Sequence, residues 1–176
     1  MKTYEFSVIA SGLDPQAEDF EARFYEGGCD DATVSFQKGH IILDFAREAE
    51  SIDIAISSAV EDVTSAGATV DRVEPDPLVS LADIAARTDM SRAVMSLYAK
   101  EQRAEGFPAP IAKVTSNSSL YDWATVAVWL CRHDKVSRET AIEAAVVKEA
   151  NVAICAGVLH MRDRLKERAR ELDAAL

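Results

Sequence analysis

Pro75 and Pro77, in the run Glu74-Pro75-Asp76-Pro77, break the chain into blocks. A proline has no backbone N–H and disfavours helical backbone in the residue before it. Neither a helix nor an unbroken strand ladder is expected to pass through this point. The break predicts a first domain over 1–77, a second over 78–135 and a C-terminal segment over 136–176. Charge changes at the same place. Residues 1–77 carry 17 acidic and 5 basic side chains, residues 78–135 carry 6 and 7, and residues 136–176 carry 7 and 7. The acidic excess of a chain with net charge −11 thus lies before the break.

Within the first block the hydrophobic period changes repeatedly. Tyr4–Ala10 reads as a strand. Asp14 and Pro15 open a helix carrying Ala17, Phe20 and Phe24 on one face, stopped by Gly27 and Gly28. The runs 32–36 and 41–45, separated by Gln37, Lys38, Gly39 and His40, read as a hairpin. Ser51 caps a helix with Ile52, Ile56, Ala59, Val60 and Val63 inward, ending near Gly67, and 68–73 forms a last strand. The order βαββαβ predicts a ferredoxin-like arrangement, four antiparallel strands covered on one face by two helices, within an α+β chain. At 176 residues and 48% hydrophobic composition, the chain is long enough for two small cores.

The second block opens with two short helices around a tight turn, Ser80–Arg103. Ser80 and Asp83 form a capping-box variant, and Leu81, Ile84 and Ala85 share a face. Thr88, Asp89 and Met90 make the turn, and Ser91 caps a second helix with Val94, Met95 and Tyr98 inward. Small Ala85 permits a close, steep crossing, the helix-turn-helix geometry that sets a helix in the major groove of DNA. Its outward positions are Arg92, Ala93, Ser96, Leu97 and Lys100. Arg92 has the paired donors to grip guanine, Ser96 reaches a base edge or phosphate, and Lys100 reaches phosphate. A buried helical hairpin with no ligand is the plainer alternative.

The following segment, Gly106–Leu130, runs from an extended Phe107-Pro-Ala-Pro110 through a polar tip at 115–119 to Tyr121-x-Trp123 and a helix with Val126, Trp129 and Leu130. A hairpin beside a helix-turn-helix is a wing. On these landmarks, Leu78–Leu130 resembles the winged helix-turn-helix domains of excisionase and MerR-type regulators. The stretch from Gly27 to Ala85 is also similar to a group of bacterial helix-turn-helix proteins carrying such an N-terminal module. The resemblance implies a sequence-specific DNA-binding protein, a transcriptional regulator, with double-stranded DNA as partner and no cofactor or catalytic activity. Two departures stand out. Related domains commonly place glycine in the turn, where this chain has Asp89, a residue tolerant of left-handed backbone. They also often carry Arg or Lys around the wing, where this chain has Asn117, Ser118 and Asp122.

The expected DNA-contacting set is Arg87, Ser91, Arg92, Ala93, Ser96, Leu97, Lys100, Lys113 and Asn117. Its four cations predict weak binding by one copy at physiological salt, and two copies on a palindrome would double the count. A homodimer is therefore expected. Residues 137–172 offer two helices, one with Ile142, Ala145 and Val146, the other with Val152, Cys155, Val158, Leu159 and Leu165. Their apolar face either folds back on the winged domain or pairs with another subunit. Arg162, Arg164, Arg168 and Arg170 alternate with acids in a solvated end. The acidic N-terminal domain cannot lie against the duplex and is expected to project away, where it can attract a basic partner. That gives the competing function, a protein-interaction or antitoxin-like adaptor. The second block uses no core residue before Leu78, so removing residues 1–76 is expected to leave a folded fragment that binds DNA more tightly.

Other classes find little support. No apolar run suffices for a membrane span, and the N-terminus lacks the core of a secretion signal, so the protein is expected in the cytoplasm. Cys29, Cys131 and Cys155 lack paired spacing and read as scattered buried thiols. Asp30, Asp31 and Asp44 form a carboxylate cluster that could hold Mg²⁺ and hence serve a metal-dependent enzyme, although adjacent strand residues face opposite ways. His40, His133 and His160 have no ligand spacing, and no nucleophile or phosphate-loop motif is present.

Overall fold

The computed structural model describes residues 1–176, a mixed α+β chain with seven helices, a four-stranded antiparallel sheet and a small two-stranded sheet. It divides into two compact units. One comprises Met1–Pro75 with Val146–Glu171, the other Asp76–Ala145 with Leu172–Leu176. Residues 136–176, read from sequence as a segment apart, are thus shared between the two.

In the first unit, β1 (Lys2–Ser11), α1 (Phe20–Glu26), β2 (Ala32–Gln37), β3 (His40–Ala49), α2 (Ile52–Ser65) and β4 (Thr69–Glu74) follow the expected order. The strands lie β2-β3-β1-β4, every neighbouring pair antiparallel. Alternate residues of β1 and β3 (Tyr4, Phe6, Val8 and Ala10; Ile41, Leu43 and Phe45) are buried, as are Ile56, Val60 and Val63 of α2. Gln37 pairs with His40, so the hairpin loop shrinks to Lys38 and Gly39, both at positive φ as a tight two-residue turn requires. Against expectation, α1 begins at Phe20 rather than Asp14. The Asp14 carboxylate accepts the Gln16 N–H at 2.9 Å, and its carbonyl accepts the Ala17 N–H at 3.1 Å, so residues 14–19 spend their backbone groups in local turns.

Arg47, only 7% exposed, ties these elements together. It donates to both Asp31 oxygens at 2.8 and 2.9 Å, to Asp62 at 2.7 Å, to Ser58 Oγ at 2.9 Å and to the Gly28 carbonyl at 2.9 Å. Gly28 has φ +100°, and a Cβ there would lie 3.0 Å from the Asp62 carboxylate, so no other residue fits the turn without displacing this network.

The second unit holds β5 (Leu78–Val79), α3 (Leu81–Thr88), α4 (Arg92–Ala99), β6 (Tyr121–Asp122) and α5 (Trp123–Arg132). Val79 of β5 pairs with Tyr121 of β6, and an isolated bridge joins Ala112 to Leu120. The core gathers Val79, Ile84, Met95, Tyr98, Phe107, Trp123, Val126 and Leu130. Phe107, set by the extended Phe-Pro-Ala-Pro run, meets Trp129 edge to face at 5.1 Å, and Tyr98 meets the same indole at 5.3 Å.

Helix α6 (Arg138–Cys155) contributes Ala141 and Ala144 to this core and its residues from Val146 to the first unit; α7 spans Arg162–Ala175. The apolar spacing predicts a second helix through Val152, Cys155 and Val158. The structure instead continues one helix to Cys155, because no breaker interrupts 138–155 and Gly157, at φ +73°, ends it. Val152 and Val158 are exposed, whereas Met161 and Leu165 are fully buried. The thiols are not uniformly buried either. Cys29 is buried, Cys131 half-buried and Cys155 exposed. No helix is long and apolar enough to cross a membrane.

Candidate nucleic-acid interface

The start of α3 is held by the reciprocal cap foreseen at Ser80 and Asp83. The Ser80 N–H and hydroxyl donate to the Asp83 carboxylate at 2.8 and 2.7 Å, while the Asp83 N–H donates back to Ser80 Oγ at 3.2 Å. These bonds leave the N–H groups of Leu81 and Ala82 pointing out of the helix end without intrahelical acceptors. Asp89 closes α3 in left-handed backbone at φ +53°. Ser91 then caps α4 by accepting the Val94 N–H at 3.2 Å, and Arg92 is the first helical residue.

The faces of α4 separate cleanly. Met95 and Tyr98 are buried, Arg92, Ala93, Leu97 and Lys100 are exposed, and Ser96 is half-buried. Arg87 goes elsewhere. It is half-buried, with its guanidinium carbon 5.2 Å from the centre of the Trp123 ring. That leaves Arg92 and Lys100 as the exposed cations of the α3–α4 pair.

After the Ala112–Leu120 bridge position, Lys113 turns the chain at φ +49°, and its carbonyl accepts the Ser116 N–H at 2.9 Å and the Ser119 hydroxyl at 3.2 Å. The loop so formed presents Asn117 and Ser118 to solvent. Together with the first residues of α3 and with Arg92, it lines a cleft of about 270 Å³. Two residues singled out from sequence, Arg92 and Asn117, are therefore brought to one cleft. Lys113 and Lys100 are exposed but do not line it.

Sequence reasoning missed the contribution of the α3 start. The capping box was the available signal, since it marks a helix end whose next N–H groups are unsatisfied. Residues bearing guanidinium, carboxamide, hydroxyl and helix-end N–H groups line the cleft at the positive end of the α3 dipole, with the Asp83 carboxylate in the same first turn. The arrangement is chemically suited to anionic oxygens. The unit as a whole is not cationic, with 10 acidic against 8 basic residues, so any attraction for a polyanion depends on local placement.

Asp30, Asp31 and Asp44 have different surroundings. Asp31 is engaged by Arg47, Asp44 accepts the Ser7 hydroxyl at 2.5 Å, and Asp30 lies in a different cleft between α1 and β2. No group of three or more His, Cys, Asp or Glu is placed to hold a metal. No family model, curated protein or solved structure matches the chain.

Proposed function

We propose that this protein is a sequence-specific DNA-binding regulator, in which the second unit works as a winged helix-turn-helix and the first as an acidic ferredoxin-like module. The observation that carries the reading is the cleft formed by Arg92, the α3 start and the Asn117–Ser118 tip. It supports the reading because an exposed arginine able to pair with a base edge lines the same cleft as groups able to hold phosphate. In this reading α4 enters the major groove with Arg92 on a guanine edge, the α3 N–H groups and Ser118 hold phosphate oxygens, and Lys100 and Lys113 extend the phosphate track. Arg87, held on Trp123, is left with a packing role.

Three exposed cations predict a log–log salt slope of about −3 per copy, and a dimer on a palindromic site would double it. The test is selection from a random duplex library with the full-length protein, followed by gel-shift titration of the enriched and scrambled duplexes at graded salt. An enriched motif, bound with that slope and preferred over its scrambled form, is expected. No motif enriched at low salt would overturn the proposal. It would also favour the competing reading, an adaptor that binds a basic partner through the acidic unit.

A further inference from the structure

The four-stranded sheet ends in two edges that differ in kind. At β4, the Asn151 side chain covers the backbone, accepting the Val73 N–H at 2.8 Å and donating to the Val73 carbonyl at 2.9 Å. At the other edge β2 pairs with β3 alone. Because Gln37 and His40 close the two-residue turn as a hydrogen-bonded pair, the alternation of an antiparallel ladder turns the N–H and C=O groups of Val34 and Phe36 outward. Nothing in β2 blunts this edge. Its six residues, Ala-Thr-Val-Ser-Phe-Gln, include no proline, no charge and no bulge, the devices by which exposed edges ordinarily avoid pairing.

Beside the edge, between α1 and β2, runs a cleft of about 580 Å³ with Ala22, Cys29 and Val34 on its apolar side and Glu21, Glu26 and Asp30 along its rim. Tyr25, 69% exposed, also lines it, and Phe36, 48% exposed, lies further along β2. We infer that the β2 edge is a docking site for an extended basic peptide of a partner protein, which adds a fifth strand to the sheet and sets Lys or Arg side chains against Glu21, Glu26 and Asp30. The backbone pairing supplies a strand-shaped slot, and the acidic rim selects the charge of its occupant. A second copy of this chain is disfavoured at the same edge, because its own acids would face these. The inference is independent of the DNA reading, since every residue in it belongs to the first unit.

The test uses the full-length, ¹⁵N-labelled protein and a capped eight-residue peptide of alternating lysine and valine. Two controls accompany it: the same peptide with glutamate for lysine, and the lysine peptide N-methylated at every residue. The lysine peptide is expected to shift the Val34 and Phe36 amides and to slow their exchange with solvent. N-methylation, which removes every backbone donor of the peptide, should abolish the effect. Glu21→Lys combined with Glu26→Lys, both at exposed helix positions, should weaken binding at least about tenfold by replacing attraction with repulsion. Equal binding of the glutamate or N-methylated peptide, no response of the β2 amides at millimolar peptide, or β2 shifts that track protein concentration without peptide would each overturn it.

Discussion

If the protein binds DNA as proposed, single residues should separate base reading from phosphate holding. Arg92 opens α4 behind the Ser91 cap, where a recognition helix presents its first side chains to base edges, while Lys100 lies about two turns on. Arg92→Ala is expected to cost about 1–3 kcal/mol against the selected site and to leave scrambled DNA almost unaffected. Lys100→Ala should weaken all sequences alike and lower the salt slope by about one. Equal losses on both duplexes for Arg92→Ala would assign it to phosphate instead. Asp83 gives a separate residue-scale prediction. Hydrogen bonds from the Ser80 hydroxyl, then from the Ser80 backbone, hold its carboxyl below the ordinary range, and Arg87 adds to the effect. A carboxyl lowered in the folded state contributes stability above its unfolded pKa and loses it as pH falls through the folded value. The charged cap should thus act fully above about pH 4 and fade below. Thermal unfolding of Asp83→Asn is expected to show a lower Tm than the parent at pH 6, with the difference closing toward pH 3.

At the scale of elements, the two sheet edges show how side chains from distant sequence decide what a strand can do. Asn151, 78 residues from Val73, meets both backbone groups of an edge residue. Asn151→Ala leaves a partly buried N–H and C=O without partners, which costs about 1–3 kcal/mol. Denaturant unfolding should register the loss, and the Val73 amide should exchange markedly faster than in the parent. An unchanged Val73 exchange rate would mean that the carboxamide does not cover this edge in solution. Helices α3 and α4 contrast with this, since each is started by a residue of its own segment, Ser80 and Ser91.

At the scale of the molecule, the division into two units changes what a truncation does. Every fully buried member of the second core from Val79 to Ala144 lies within 76–145, whereas Val146, Val147, Ala150, Met161 and Leu165 are buried with the first unit. A fragment of residues 76–145 is expected to unfold cooperatively. Removing only 1–75 should instead strip those five residues of their partners and raise the fluorescence of a hydrophobic dye. The simple deletion foreseen from sequence is therefore the poorer design. The shorter fragment also leaves behind a unit with 20 acidic against 11 basic residues, so it should bind DNA more tightly at low salt. Absence of a cooperative transition in 76–145 would show that the second core depends on the rest of the chain.

The sequence by itself determined what is local. Alternation set the strands, Ser80, Asp83 and Ser91 set the helix starts, Asp89 marked the turn between α3 and α4, and Pro75 and Pro77 marked the seam. It misplaced the start of α1, where turn bonding at Asp14 competes with the helix, and the division of the C-terminal helices, where one uninterrupted helix runs from Arg138 to Cys155 and ends before Gly157. Only the tertiary structure decided that Arg87 lies on Trp123, that Asp31 belongs to Arg47, that Asn117 joins Arg92, and that Asn151 closes one sheet edge while β2 stays open. Each of these pairings brings together residues far apart along the chain, and periodicity within a segment carries no information about which distant partner its faces will meet.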